Sequence, residues 1–523
     1  MDIINHNYNI FLERIAPFLQ KRVKKSYIGV AVLLICAQQV YSFFRVPKKL
    51  RHIPAVSAYA MIKSALRGQS RVDCEMELLL PVSHKGNGIY LNKVPVTWTV
   101  YVADPVAAKQ LLMKTDIFPK SHQTLKMIGK TGFVVNFLGC DNIVMSNGHV
   151  WKKQRSLMNP VFHRSMPIRT MGEGVKALFS IIDRENGTIN VSNKMQEFTL
   201  DVLGITTFGF DFKSMEGDPE KWGEMYHLVN KQLIDPIEFI FFKCAPLLHR
   251  ILPEKRRAHA ALARLNAKFD ELAKQRRTEL EHGSLDNVPE NEKDLLTLML
   301  EAERRGEAIV TEEQLRHNIA VIFLAGHETT ANTLSLCLYN LAKHKHVQDK
   351  LRKEVIEVLG DEPVDVTPTL EELKRMEYLN MVIKENLRLN GPADTVLPRE
   401  AAEDVTLAGT FIPKGTLLNL DIGSIHRSPR VWKNPEEFIP ERFGPNGEQE
   451  DHTGFTWIPF SSGSRQCIGM NFSLAEQRIF LAMTLKKYEV EIPKDSIHYD
   501  HLVFDQVRTK SPANLELIFK RRY

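Results

Sequence analysis

Between about residues 150 and 390, apolar side chains recur with the 3.6-residue period of packed helices. The clearest run is Thr311 to about His344, where Ile319, Ile322, Phe323, Leu334 and Leu336 supply apolar faces. Thr311 and Gln314 have the spacing of a capping box, which fixes where this helix starts. Gly326 falls in its middle, and a mid-helix glycine costs about 1 kcal/mol relative to alanine, so its presence asks for a reason. A second helix is expected from Ile468 to about Lys487. Strand signals are sparse. Residues Val96 to Val102 alternate, followed by Asp104-Pro105, an N-cap with proline in the first helical turn. Val405 to Ile412 and Leu417 to Leu420 read as short strands split by Pro413-Lys-Gly415, while Glu281–Asp294 and Gly444–His452 read as polar loops. The expected fold class is mainly α with small β-sheets.

The N-terminal 52 residues have a different texture. Nine Lys/Arg stand there against Asp2 and Glu13, although the whole 523-residue chain carries only +6. The rest is therefore close to neutral, which argues against a nucleic-acid surface. The cations flank an apolar stretch, Tyr27 to Phe44, whose length at ~1.5 Å per residue is about 27 Å, enough for a thin bilayer. Its late start and the lack of a small-residue cleavage pair argue against a cleavable signal peptide. The expected organisation is a basic, amphipathic segment 1–26, a helix 27–44 that spans the membrane once or anchors in its interface, a basic, proline-containing linker 45–60 and one large domain 61–523. Six cysteines (36, 74, 140, 244, 337 and 467) show neither paired nor metal-like spacing, as expected of a reducing compartment and a lone ligand. The sequons at Asn186, Asn190 and Asn471 are expected to stay unglycosylated, since Asn471 lies four residues beyond the candidate ligand Cys467.

The most informative stretch is Phe460-Ser-Ser-Gly463-Ser-Arg465-Gln-Cys467-Ile-Gly469. It reads as a loop that presents a thiolate to haem iron. Cys467 supplies the sulfur, and backbone N–H groups together with the start of the following helix stabilise its charge. Gly463 permits a tight turn, Gly469 lets the backbone approach a flat ligand, Arg465 reaches a carboxylate of that ligand, and Phe460 shields the sulfur from water. The pattern resembles the haem-binding signature of the cytochrome P450 superfamily, in its eukaryotic, reductase-dependent form. Four other motifs follow in the family's order, so the resemblance runs from about residue 90 to the C-terminus. One departure is Asn390-Gly391-Pro392, where a double proline is commoner.

The resemblance implies a role for each motif. In Ala325-Gly326-His327-Glu328-Thr329, the helix opens beside the haem to form an oxygen pocket, with Glu328 and Thr329 as the acid–alcohol pair that controls proton delivery. Glu385, Arg388 and Arg442 form a structural triad. Trp151, Arg155 and Arg399 bind haem propionates, and His426 is a further candidate for that task. The pocket is expected along Phe133, Val134, Phe323, Ala393, Asp394, Val396 and Phe504, with Ile128 and Lys130 nearby. This mostly apolar set favours a steroid, terpenoid or fatty-acid-like substrate.

The expected cofactor is haem b. NADPH and flavins would act through a separate NADPH–cytochrome P450 reductase, since no nucleotide fingerprint occurs in the chain, and cytochrome b5 is a second candidate electron donor. Lys152, Lys153, Lys374 and Lys384 are candidates for the docking face. The remaining partners are a lipid bilayer, O2 and the lipophilic substrate. The expected activity is a monooxygenase facing the cytosol from the endoplasmic reticulum. A reductase-independent peroxide isomerase or dehydratase is the alternative, against which the acid–alcohol pair speaks; a non-catalytic haem-binding protein would not need that pair either.

Overall fold

The computed structural model describes residues 30, 33–34, 37–38, 41–94, 97–123, 129, 132–164, 166–233, 235, 249, 251–306, 311–452, 454–504 and 510–523. Two compact units divide at His52 and Ile53. In the first, the described residues between 30 and 44 are exposed and mainly helical, and a 3-10 turn follows at Lys48–Leu50. Among the described residues no helix is long and apolar enough to cross a membrane. Segment 1–26 and half of the expected 27–44 span lie outside them. In the second unit, the last part of the expected linker joins the sheet: Leu91 N–H donates to Pro54 O and Val56 N–H to Leu91 O, each at 2.8 Å.

The second unit is mainly helical. The elements that build the site are α1 (Gly148–Arg164), α2 (Val191–Leu203), α3 (Trp222–Leu233), α4 (Pro253–Glu281), α5 (Glu312–Lys343), α6 (Lys345–Leu359), α7 (Glu377–Asn390), α8 (Ile422–Arg427) and α9 (Met470–Lys487). The strands are β1 (Ile89–Val94), β2 (Thr97–Val102), β3 (Thr188–Asn190), β4 (Arg399–Glu400), β5 (Val405–Leu407), β6 (Thr410–Ile412), β7 (Leu417–Leu420), β8 (Tyr488–Glu491) and β9 (Glu516–Arg521). They form sheets in the orders β1-β2-β7-β4, β3-β9-β8 and β5-β6. β2 runs parallel to β7, with Val100 opposite Leu418, which brings the N-terminal hairpin to the segment between Arg388 and Arg442.

Local signals set the element ends. Thr311 Oγ1 accepts from Gln314 N–H at 3.1 Å, and Gln314 Oε1 accepts from Thr311 N–H at 3.2 Å, closing the capping box of α5. Asp104 caps the helix after β2 through Ala107 N–H at 2.8 Å. α9 begins at Met470, two residues later than expected, with Gly469 at its N-cap.

α5 runs through the interior and is buried nearly all round, polar residues such as Asn318, His327 and Asn340 included. Its N-terminal half, Leu315 to Phe323, packs into one apolar core with α3 and α4. Its C-terminal half, Ala331 to Leu341, packs into another with α2, α6, α7 and α9. Between them, residues 325–330 belong to neither core, and the site opens there.

Candidate active site

A cavity of about 350 Å³ lies against that interval of α5. Ala325, Gly326, Thr329, Thr330 and Thr333 form one wall, and Phe460, Arg465, Cys467 and Gly469 the opposite one. Trp151 and Arg155 enter from α1, and Ala393, Val396, Leu397 and Ile422 close a third side. Cys467 has a large accessible area, yet that area is the floor of an interior hollow.

The loop under the cavity explains its own sequence. Cys467 N–H donates to Phe460 O at 2.9 Å, closing the turn. Burial pushes the Cys467 thiol pKa up, while the Gly469 N–H and the Arg155 guanidinium pull it back down. Gly463 has φ 72°, and a Cβ there would stand 3.1 Å from Met113 Sδ and 3.3 Å from Leu112 O. Gly463→Ala is therefore expected to cost about 1–2 kcal/mol from the left-handed backbone alone, read as a lower thermal midpoint. A Cβ on Gly469 would meet nothing nearer than Phe162 Cε1 at 3.9 Å, because the space beside it is the cavity.

Three cations, Arg155, Arg465 and Lys120, line one end of the hollow and Arg399 is buried beside them; among the described residues none of the four has a carboxylate partner. Arg465 lies over the Trp151 ring, 3.8 Å from its centroid, and its Nη2 donates to Ser146 O at 2.7 Å. Its Nε and Nη1 have no acceptor, and the same holds for Nε of Arg155 and of Arg399. Arg399 spends Nη1 on Phe118 O at 2.9 Å. Burial lowers the Arg399 pKa to about 10. Burial, then repulsion from Arg399 and Arg155, lowers that of Arg465 to about 10. Lys120 is pushed down to about 7 by burial and by Arg399 and Arg465. Buried donors without acceptors and mutually repelling cations ask for an anionic ligand with several carboxylate oxygens. Lys120 carries no motif, so only its place beside Arg399 and Arg465 reveals it.

The stretch 325–330 departs from expectation in two ways. α5 stays a continuous helix here, and the Thr329 hydroxyl donates to Ala325 O at 2.8 Å inside it. The reason for Gly326 is packing: a Cβ would fall 2.7 Å from Leu203 Cδ1, so α2 could not approach so closely. The acid and the alcohol are also separated. Thr329 lines the cavity, whereas Glu328 Oε2 accepts from Tyr226 Oη at 3.0 Å and Asn230 Nδ2 at 2.7 Å on α3.

Several other expected residues lie elsewhere. His426 is buried, and its Nε2 accepts from Ile458 N–H at 2.9 Å, a structural bond away from the cavity lining. Phe133 packs against the His259 ring 4.9 Å away, with Val134 beside the same core. Phe323 sits among Phe208, Phe212, Phe269 and Tyr226, so Val321 and Ile322 face the cavity in its place. Asp394 pairs with Lys510 at 2.6 Å, and Phe504 bridges to Pro512. Neither lines the cavity. Ala393 and Val396 do; Ile128 and Lys130 lie outside the described residues.

Below α8 the expected triad is assembled in full burial. Arg388 Nε and Nη2 donate to Glu385 Oε2 and Oε1 at 2.7 and 2.9 Å. Arg442 Nε reaches Glu385 Oε1 at 3.3 Å. Arg388 Nη1 also donates to the carbonyls of His426 and Pro435, each at 2.7 Å.

Comparison with known proteins agrees with this geometry. The family profile described as Cytochrome P450 matches residues 79–516, so the chain belongs to the cytochrome P450 family. It is similar to Cytochrome P450 4A24 of Sus scrofa, 28% identical over 482 residues, which covers 89% of this chain and 91% of that one. Cytochrome P450 4F8 of Homo sapiens is 31% identical over 364 residues, 67% of this chain and 69% of the relative. Leukotriene-B4 omega-hydroxylase 3 of Mus musculus is 30% identical over 372 residues, 68% and 69%. The fold matches the solved cytochrome P450DA heme domain with a TM-score of 0.73 at 24% identity, covering 90% of this chain and 98% of that one. The protein is an oxidoreductase of this family, whose cofactor is haem b. The residues present fit that group: a sulfur on the cavity floor, a glycine where the cavity needs space, and unpartnered cationic donors at one end.

Proposed function

We propose that the protein is a haem-thiolate monooxygenase that hydroxylates a lipophilic, fatty-acid-like substrate. Cys467 would supply the sulfur ligand to the haem iron, and Arg155, Arg399, Arg465 and Lys120 would hold the haem carboxylates, with Trp151 keeping Arg465 in place. The observation that carries this reading is a cavity floored by Cys467 and lined by Arg155 and Arg465, whose buried guanidinium donors lack acceptors. When bound, the haem supplies the redox chemistry that splits dioxygen, sending one atom into a C–H bond and the other to water.

The chain's own residues manage access and protons. Val321, Ile322, Val396 and Leu397 keep the cavity apolar, so water enters sparingly and a lipophilic chain displaces it. Thr329 Oγ1 is the hydroxyl poised on that space; breaking its bond to Ala325 O frees it to donate into the cavity. Glu328 stands on the α3 side of the helix and serves as the proton reservoir, held by Tyr226 and Asn230. Relatives named as hydroxylases, of leukotriene B4 and of taurochenodeoxycholic, support hydroxylation of a lipophilic substrate.

Electrons come from NADPH through a separate reductase, at a membrane where residues 27–44 anchor the chain with the catalytic unit in the cytosol. The apolar run flanked by cations supports the anchor. The central test is the reduced carbon monoxide spectrum: a strongly red-shifted band is expected, and an unshifted band from folded, haem-loaded protein would sink the reading. Thr329→Ala is expected to keep that band while product formed per NADPH falls by about 10²-fold, the scale of one positioned proton donor. Unchanged coupling would remove Thr329 from proton delivery. A protein that turns over peroxides without a reductase would favour the isomerase alternative.

A further inference from the structure

The cavity wall made by Ala393, Val396 and Ile422 is held by a buried group of ions that the reaction does not use. Asp394 lies between two lining residues and faces away from the lining itself. Its carboxylate meets Lys510 Nζ at 2.6 Å and Arg71 Nε at 3.5 Å. Its carbonyl accepts from Ile422 N–H at 2.8 Å and from Gly423 N–H at 3.3 Å, which fastens the wall to the first turn of α8. Asp421 caps that same turn through Ser424 N–H at 3.1 Å and pairs across a bridge with Thr395.

Lys510 joins this wall to a distant segment. It is 2% exposed, and its Nζ lies 3.9 Å from Glu75 Oε2. Glu75 is 1% exposed, and neither of its oxygens accepts a hydrogen bond. It opens a π-helical turn, Glu75–Leu79, of the kind that recurs at functional sites. Gly423 makes room for it, since a Cβ there would fall 2.4 Å from Glu75 Oε1. Burial raises the Glu75 pKa, with Lys510 opposing. Burial also acts on Asp394, but Lys510 and Arg71 overcome it and hold that carboxyl below its usual range. Lys510 is held by the Asp394 carboxylate with the Glu75 carboxyl beside it, which ties together the segments carrying Glu75, Asp394 and Lys510.

We propose that Lys510, by bridging Asp394 and Glu75, fixes the position of the 393–396 wall and so determines the size of ligand the cavity admits. All three are positioning residues, since none touches the ligand. The inference rests on the reading of the cavity as a lipophilic substrate site.

The test uses haem-loaded protein and n-alkylimidazoles from butyl to dodecyl, whose ring nitrogen seeks the iron whatever the natural substrate is. Binding is followed in the oxidised spectrum for the native protein and for Glu75→Gln, Lys510→Met and Lys510→Arg. Lys510→Met is expected to change the ratio of dodecyl to butyl Kd by about tenfold, because one methylene of fit in an apolar pocket is worth about 10–200-fold. Glu75→Gln, which keeps shape and loses charge, is expected to move the ratio the same way by less. Lys510→Arg should restore most of it. Equal weakening at every chain length, or native ratios in Glu75→Gln and Lys510→Met, would show mere structural support and overturn the proposal. If Lys510→Met does not accumulate with haem, Glu75→Gln decides alone. Native affinity that fails to rise with chain length would sink the lipophilic reading and this proposal with it.

Discussion

Cys467→Ala is expected to abolish the red-shifted carbon monoxide band of the reduced protein and, with it, all reductase-supported turnover. The expectation follows from the floor of the cavity. Among the described residues Cys467 is the only cysteine that lines it; Cys74 and Cys337 are buried elsewhere, and Cys140 is exposed away from the lining. No other described side chain on the lining can supply a thiolate, since Gln466, Ser461 and Ser473 offer only amide or hydroxyl oxygens. The loop is also tuned for sulfur. The Gly469 N–H and the Arg155 guanidinium favour the thiolate against burial, as a sulfur that is to bind iron would require. An alanine leaves those donors unused without adding bulk, so the fold should persist. Circular dichroism is expected to match the native protein, and Cys337→Ala is the control that keeps its band. A thiolate band surviving in Cys467→Ala would show that another residue is the ligand.

What could be read from the chain alone was what depends on neighbours in sequence. The capping box at Thr311, the Asp104 cap, the strand Leu417–Leu420 and the tight turn at Gly463 all have causes within a few residues, and the structure shows each of them. The expected strand Val405 to Ile412 instead folds back on itself at Ala408-Gly409 into the hairpin β5-β6. Facing was harder. α5 is buried on nearly all sides, so its period carries no preferred face, and Phe323 went to the aromatic core while Val321 and Ile322 took the cavity. Glu328 and Thr329 are neighbours in sequence, but successive helical residues point about 100° apart, so one meets α3 and the other the cavity. Lys120 and the Glu75–Lys510 pair were invisible for a different reason. Their partners are brought by the tertiary fold from segments hundreds of residues away, and a lone lysine has no periodicity or motif to announce it. His426 shows the converse error, since a family role suggested a ligand contact where Ile458 N–H already takes its ring nitrogen.

Glu385→Ala is expected to lower stability by about 3–5 kcal/mol, the cost of stranding buried charge, which is a large share of the roughly 5–15 kcal/mol that holds a domain together. Glu385 and Arg388 are both 0% exposed, so no water can replace the lost partner. The carboxylate accepts from Arg388 twice, from Arg442 Nε and from Ile439 N–H at 2.9 Å, and all four donors lose it together. Removing Arg388 instead would release the carbonyls of His426, Pro435 and Glu437. Those contacts tie α7 to the segment that runs on to the Cys467 loop. The damage should therefore reach the haem site, and haem should be lost at lower urea than in the native protein. A double variant, Glu385→Leu with Arg388→Met, removes both charges and is expected to recover part of the loss, because no buried ion is left alone. Urea midpoints and the fraction of protein retaining the red-shifted band measure the two effects separately. A Glu385→Ala protein with native midpoint and native band would mean that the triad neither stabilises the fold nor sets the ligand loop.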